Sequence, residues 1–163
     1  MASIVLLSDT HSYIDKRWEK HLKDADEIWH AGDIGNPDVL DYLSSFAKLR
    51  VVWGNIDSHD LRAEFPEDQI FELEGFKVWM RHIGGYPNRY PAHIKKLLSE
   101  IKPDIFICGH SHILKVIYDK KYQLIHMNPG GAGKYGAQTK QTILRFDLIK
   151  GEIKNMQVVE WDK

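Results

Sequence analysis

The chain has 163 residues, of which 43% are hydrophobic and 28% charged, and its formal net charge is −1. This size and composition are typical of one globular domain, so we expect a single domain over residues 1–163 and not a disordered or fibrous chain. The near-neutral charge excludes the strongly basic surface that binds the phosphate backbone of long nucleic acid, and we expect no such partner.

The cysteine content and the first apolar run bear on where the protein works. Cys108 is the single cysteine, so no intrachain disulfide can form and no oxidising compartment is indicated. The run at residues 4–7 is too short for a membrane span or a signal-peptide core and has no basic leader. We therefore expect a soluble cytoplasmic protein without a membrane partner.

The first half of the chain alternates predicted strands and helices. Apolar runs that end at polar turns predict strands at residues 3–8, 27–31 and 49–53. Helical spacing of apolar residues predicts a surface helix over 14–22 and a second helix that begins near Pro37. This βα rhythm indicates an α/β protein.

The second half is richer in predicted hairpins. Apolar runs and turn residues predict three hairpins, one helix and one further strand. In chain order these are the hairpin 69–73/77–82, the helix 91–101, the strand 104–108, and the hairpins 116–118/123–126 and 142–149/153–161. Antiparallel pairing is therefore expected to join the parallel strands of the first half.

Five predicted strands run directly into loops that begin with a polar side chain. These side chains are Asp9, Asp33, Asn55, His82 and His110. In open α/β sheets, ligands bind at the carboxyl ends of the strands, where such loops converge. We therefore expect the five residues to meet at one edge of the sheet.

Two pairs of residues at these strand ends are spaced for metal binding. Asp9 and His11 are one residue apart, as are His110 and His112, and in extended backbone residues i and i+2 point the same way. Neutral imidazoles suit Mn, Fe, Co, Ni or Zn. The two carboxylate oxygens of Asp33 could bridge ions held about 3.5–4 Å apart, the spacing of two-metal phosphatase sites.

Taken together, these motifs resemble the calcineurin-like metallophosphoesterase superfamily. The pieces, in chain order, are Asp9-x-His11, Gly32-Asp33, Gly54-Asn55-x-Asp57, His82 and Gly109-His110-x-His112. The short length and the Asn128-Pro129-Gly130 tract resemble its small bacterial and archaeal phosphodiesterases, to which the retromer subunit of eukaryotes is related.

The resemblance implies a four-layer α/β/β/α sandwich of two mixed β-sheets flanked by helices. It also implies two divalent ions, with Mn²⁺ expected and Fe, Ni, Co or Zn as alternatives. One ion would be held by Asp9, His11, Asp33 and His112, and the other by Asp33, Asn55, His82 and His110. A hydroxide bridging the two ions would then hydrolyse a small phosphoester, a diester rather than a monoester, with Asp33 and Asn55 as the catalytic residues.

The sequence departs from the family pattern at three positions. Ile56 follows Asn55 where many relatives have a histidine that serves as proton donor, and this change favours diester or activated substrates. Ile83 follows His82 where glycine is common, and Gly131 stands where serine is usual.

Several polar residues outside the ligand set are expected to orient the ligands or line the pocket. They are His30, Asp57, His59, His126 and Asn128, and either His59 or His126 could replace the missing proton donor.

A protein-interaction scaffold of the same fold, with little or no catalysis, is the alternative function. The retained ligand residues favour the enzyme, and a homodimer is compatible with either reading. Substrate specificity should reside in the residues expected to form loops, namely 12–17, 56–66, 84–92 and 129–139.

Overall fold

Ten strands and four helices are present in the computed structural model, which describes all residues from 1 to 163. The helices are α1 (Glu19–Leu22, entered through a 3-10 turn at Lys16–Trp18), α2 (Asp38–Ser44), α3 (His59–Glu64) and α4 (Ala92–Ile101). The strands are β1 (Ala2–Leu7), β2 (Glu27–His30), β3 (Lys48–Val51), β4 (Asp68–Leu73), β5 (Phe76–Arg81), β6 (Ile105–Ile107), β7 (Lys115–Asp119), β8 (Leu124–Asn128), β9 (Lys140–Ile149) and β10 (Glu152–Asp162).

The first sheet has the strand order β10-β9-β1-β2-β3. Strands β1, β2 and β3 are parallel, and β9 and β10 add an antiparallel hairpin beside β1. Leu7 pairs with His30 and His30 with Val51, so the carboxyl ends of the three parallel strands are level. The loops that carry the first polar clusters therefore leave the sheet at the same edge.

The second sheet has the strand order β4-β5-β6-β8-β7. Strands β5, β6 and β8 are parallel, while β4 and β7 are antiparallel edge strands joined to β5 and β8 by hairpins. Met80 near the end of β5 pairs with Ile107 at the end of β6, which sets the loops that begin near His82 and His110 side by side.

Three apolar layers hold the two sheets and the helices together. Side chains such as Trp29, Phe146 and Met127 fill the space between the sheets. Helices α1, α2 and α3 cover the outer face of the first sheet, and α4 covers that of the second. The α/β/β/α sandwich of two mixed sheets is thus confirmed. No helix is long and apolar enough to cross a membrane.

One expected loop contains a helix. Residues 56–66 were expected to form a loop, but His59–Glu64 form α3. The Oγ of Ser58 accepts a hydrogen bond from the Leu61 N–H at 3.3 Å, which caps the helix, and Leu61 is buried against the first sheet. A six-residue helix with one buried apolar side chain has too little periodicity to be recognised from sequence.

Candidate metal centre

The strand-end residues of both sheets converge on one site. Two groups of side chains there present ligand atoms that all lie within 4.8 Å of one another inside each group. The first cluster consists of Asp9, His11 and His112, and the second cluster consists of Asp33, His82 and His110. The fold therefore brings together six residues that the sequence had predicted for one site.

The first cluster centres on the buried carboxylate of Asp9. Its Oδ2 accepts hydrogen bonds from the Ser8 hydroxyl at 2.6 Å and the His110 N–H at 3.1 Å. Its Oδ1 lies 3.1 Å from Nε2 of His112 and 3.9 Å from Nε2 of His11. Despite these distances, Asp9 Oδ1 and His11 Nε2 are buried without a hydrogen-bond partner of good geometry. A cation between them would satisfy both atoms, so the residues fit a metal ion.

The second cluster adds the amide oxygen of Asn55. Asn55 Oδ1 lies 3.1 Å from His82 Nε2 and 2.9 Å from His110 Nδ1, so it lies within reach of both imidazoles. The Ile56 N–H donates to Asp33 Oδ1 at 3.1 Å, which leaves Asp33 Oδ2 facing the site. That oxygen is 3.2 Å from His82 Nε2 and 3.6 Å from His11 Nε2, so Asp33 lies between the two clusters.

Five of the six cluster residues have left-handed backbone. Asp9, His11, Asp33, His110 and His112 have φ angles of 56°, 44°, 56°, 73° and 60°. The extended geometry expected for the Asp9/His11 and His110/His112 pairs was therefore wrong, and His110 and His112 point into different clusters. Left-handed backbone is unfavourable for non-glycine residues and persists where the surroundings enforce it, a feature concentrated at functional sites.

Two motif glycines allow the strand-end loops to approach closely. A Cβ on Gly32 would lie 2.6 Å from His82 Nδ1, and the φ of Gly32 is +99°. A Cβ on Gly54 would overlap with Asp33 Oδ1 and with the Asp33 backbone nitrogen. The glycines before Asp33 and Asn55 are thus required by close packing against two residues of the second cluster, His82 and Asp33.

Burial and carboxylates act in opposite directions on the pKa values of the site. Burial outweighs the neighbouring carboxylates at His11 and lowers its pKa. Burial also opposes the charged form of His82, but Asp33 and Asp9 outweigh it and raise its pKa, while Asp9 raises the pKa of His112. Burial disfavours the charged form of Asp33, but the contact with His82 dominates and lowers its pKa. The site therefore attracts positive charge, which protons and metal ions can both supply.

Hydrogen bonds fix which nitrogen of two imidazoles faces the site. The Nδ1–H of His82 donates to the Ala31 carbonyl at 2.7 Å, and the Nδ1–H of His112 donates to Gln138 Oε1 at 3.0 Å. Each leaves Nε2 free as a neutral ligand. Gln138 and Ser8 were not identified from the sequence, because neither belongs to a motif.

His30 connects the loop after β1 to the loop after β2 by hydrogen bonds. Its Nδ1 accepts from the Gly32 N–H at 3.1 Å, so its Nε2–H donates to Thr10 Oγ1 at 3.0 Å, and Thr10 in turn donates to the Ile34 carbonyl. Burial lowers the pKa of His30 to about 4, which keeps the ring neutral. The side chain supports the loops after β1 and β2 and belongs to neither cluster.

Asp57 joins the loops that carry Asp33 and Asn55. Its two oxygens accept from the Gly35 N–H at 2.9 Å and the Gly54 N–H at 2.7 Å. Arg62 on α3 donates to the Asn55 carbonyl at 2.7 Å and to the Asp57 carbonyl at 3.0 Å. The role of Arg62 was missed because α3 was missed.

Asn128 holds the chain between His110 and His112 in place. Its Nδ2 donates to the Gly109 carbonyl at 3.0 Å and to Ser111 Oγ at 3.2 Å, and its Oδ1 accepts from the Gly130 N–H at 3.0 Å. Tyr86 closes the same network through its hydroxyl, which contacts both Asn128 and Ser111.

The two histidines considered as substitutes for a proton donor lie outside both clusters. His126 is buried, with its Nδ1 3.2 Å from the Tyr90 hydroxyl, and burial lowers its pKa to about 4. The side chain of His59 is 97% exposed on α3, and its Nδ1 lies 4.0 Å from Asp60 Oδ1.

Two Asp/His clusters at the shared strand ends of an α/β/β/α sandwich define a metallophosphoesterase type of site. The chain belongs to the calcineurin-like phosphoesterase superfamily, whose domain pattern matches residues 2–151. It is 33% identical over 134 residues to a probable metallophosphoesterase of Methanothermobacter thermautotrophicus, which covers 78% of this chain and 75% of the relative. A probable metallophosphoesterase of Mycoplasma pneumoniae is 36% identical over 124 residues and covers 69% of each chain.

Solved structures show the same fold at lower identity. Vps29 of Chaetomium thermophilum superimposes with a TM-score of 0.75 at 15% identity over 100% of both chains. Zinc-complexed Vps29 of Entamoeba histolytica gives 0.76 at 16% identity over 98% of both chains. A novel archaeal phosphodiesterase gives 0.72 at 19% identity over 96% of this chain and 99% of the other.

Proposed function

We propose that this protein is a phosphodiesterase that uses two divalent metal ions to hydrolyse a small phosphoester. The observation that carries the proposal is the position of Asp33, whose Oδ2 lies 3.2 Å from a nitrogen of its own cluster and 3.6 Å from a nitrogen of the other. One carboxylate shared by two ligand clusters is the arrangement that a two-metal phosphoesterase needs.

The proposed ligands divide between two ions, for which we favour Mn²⁺. One ion is assigned to Asp9, His11, Asp33 and His112, and the other to Asp33, Asn55, His82 and His110. Bound ions of this kind would lower the pKa of a water molecule, so that it can attack phosphorus, and would polarise the phosphoryl oxygens. Two ions of total charge +4 against two aspartates leave positive charge for an anionic ester.

The surrounding residues decide which ester the site favours. Ile56 is half-exposed beside Asn55, and its side chain has no proton to give to a leaving oxygen. His59 and His126 do not reach the clusters, so we assign no side chain as general acid. Loss of such help costs about 10²–10⁴-fold with a poor leaving group, which favours activated or diester substrates.

The scaffold alternative is supported by the likeness to Vps29, and a dual role is compatible with the site. A homodimer also remains part of the proposal, because the edge strand β7 exposes Val116, Ile117 and Tyr118. We further propose that the chain acts as one domain in the cytoplasm, consistent with its free, buried Cys108.

The test is hydrolysis of bis-p-nitrophenyl phosphate by metal-stripped protein with and without added Mn²⁺, together with metal analysis. Asp33→Ala is expected to lower kcat/KM about 10³-fold or more, because several kcal/mol of transition-state stabilisation depend on the metals. Asp60→Ala is the matched control, since that carboxylate is fully exposed on α3. Wild-type protein that binds no metal and shows no Mn²⁺-stimulated activity would overturn the proposal.

A further inference from the structure

Four large apolar side chains adjoin residues of the metal centre in sequence or in space and are exposed to solvent. Ile56, Ile83 and Ile113 directly follow Asn55, His82 and His112, and they are 46%, 44% and 61% exposed. The fourth is Tyr135, which is 68% exposed. We call these four residues the apolar rim. Ligand-binding sites commonly combine apolar walls with a few polar groups, and exposed apolar side chains beside the clusters fit that pattern.

Tyr135 lies directly against the first cluster. Its ring centroid is 4.7 Å from that of His11, with the planes tilted by 34°, and 6.5 Å from that of His112. A ring so placed and still largely exposed offers a free aromatic surface next to the place where a phosphoryl group would bind.

The loop that carries Tyr135 is tied to the metal centre. Gln138 Nε2 donates to the Tyr135 carbonyl at 2.7 Å, while Gln138 Oε1 accepts from His112 at 3.0 Å. A Cβ on Gly131 would lie 2.7 Å from Gln138 Nε2, so the absence of a side chain there makes room for Gln138. The departure at Gly131 thus accompanies a loop that positions an aromatic ring over the cluster.

Two cations near the rim already have contacts of their own. Arg62, near Asn55, is hydrogen-bonded to two backbone carbonyls and packs over Trp53. Lys134, beside Tyr135, lies over the ring of Tyr13. Apolar contact is therefore what the rim offers to an ester group.

We propose that the apolar rim is a subsite for an aromatic ester substituent of the substrate, which stacks on Tyr135. The inference rests on the proposed function, because the phosphoryl group is placed at the metal centre. An offset stacked or edge-to-face arrangement suits such a ring pair, and stacking on an exposed aromatic side chain is worth about tenfold or more in affinity.

Two substrates with the same leaving group test this subsite. Phenyl p-nitrophenyl phosphate and methyl p-nitrophenyl phosphate both release p-nitrophenolate and differ only in the retained ester group. We expect Tyr135→Ala to lower kcat/KM about tenfold more for the phenyl ester than for the methyl ester, with the selective loss in KM. Tyr135→Phe, which keeps the ring, should retain the preference of the wild type.

Ile70→Ala is the control, because Ile70 is also a large exposed apolar side chain but lies on the edge strand β4. It should leave the ratio of the two substrates unchanged. Equal losses for both esters in Tyr135→Ala, with an active wild type, would overturn the subsite and leave the proposed function intact. A wild type inactive on both esters with Mn²⁺ would instead overturn the proposed function.

Discussion

The two clusters of the metal centre differ in how firmly the fold holds them. The first cluster is enclosed: Asp9 is fully buried, and Gln138 holds His112 by a hydrogen bond. The second cluster has a buried half, Asp33 and His82, but its other candidate ligands, His110 and Asn55, are exposed on loops. Ligands fixed before metal binding lose less freedom when the ion arrives. We therefore expect an ion in the first cluster to be held more tightly than an ion in the second.

The largest expected effect comes from removing one histidine from each cluster. His112→Ala should lower kcat about 10³-fold, and added Mn²⁺ should not restore it. The variant removes the imidazole nitrogen that lies beside the buried Oδ1 of Asp9, so the first cluster loses one of its metal-binding atoms. His110→Ala should raise the Mn²⁺ concentration needed for activity, with substantial recovery in excess metal. Titration of activity with Mn²⁺ measures both. Indistinguishable metal dependence in the two variants would contradict the difference between the clusters.

A substitution at Ile56 tests whether the lack of a proton donor beside Asn55, in the exposed part of the second cluster, limits hydrolysis. Ile56→His places an imidazole beside Asn55, and we expect monoester hydrolysis to rise about 10–10²-fold, less than an optimised general acid provides. Ile56→Phe is the control for side-chain size. The measurement compares p-nitrophenyl phosphate with an unactivated alkyl phosphate, for which the gain should be larger. An unchanged monoester rate in Ile56→His would show that a missing proton donor does not limit this site.

Removing the hydrogen bond from His112 to Gln138 tests whether that bond helps the first cluster to hold its ion. Gln138→Ala removes the acceptor for the His112 Nδ1–H, and loss of such an orienting partner lowers metal affinity by about 10–100-fold. The Kd for Mn²⁺ from competition with a chelator is the direct readout. Gln123→Ala, in the β7–β8 turn, is the control. If Gln138→Ala binds both ions as wild type does, burial alone accounts for the firmness of the cluster.

The strands and the convergence of the candidate ligand residues could be predicted because each depends on a local pattern. An apolar run that ends at Asp9 or Asn55 marks a strand and its polar end without knowledge of the rest of the chain. Gln138 was not predictable, since its importance arises from a contact with His112 that only the tertiary structure creates. The left-handed backbone of His11 was missed for a similar reason, because packing enforces a conformation that local propensity disfavours.

The smallest expected effect is on the free energy of unfolding and comes from a histidine on β8, outside both clusters. His126 is buried, and its pKa is lowered to about 4, below the ordinary value of 6.5. The unfolded state therefore binds more protons than the folded state between these values, so the free energy of unfolding falls as the pH is lowered. From pH 7 to pH 5 this histidine should cost about 2 kcal/mol. Denaturant unfolding with a chelator present measures the loss.

His126→Gln should remove that part of the pH dependence, whatever it does to stability at pH 7. His93→Gln, on the exposed side of α4, is the control. His30 has a pKa lowered to about 4 by the same burial and remains in both variants, so a smaller loss persists in His126→Gln. An identical pH dependence in wild type and His126→Gln would mean that His126 is protonated to the same extent folded and unfolded. That result would contradict the expectation that burial between Tyr86 and Tyr90 makes protonation of His126 unfavourable in the folded protein.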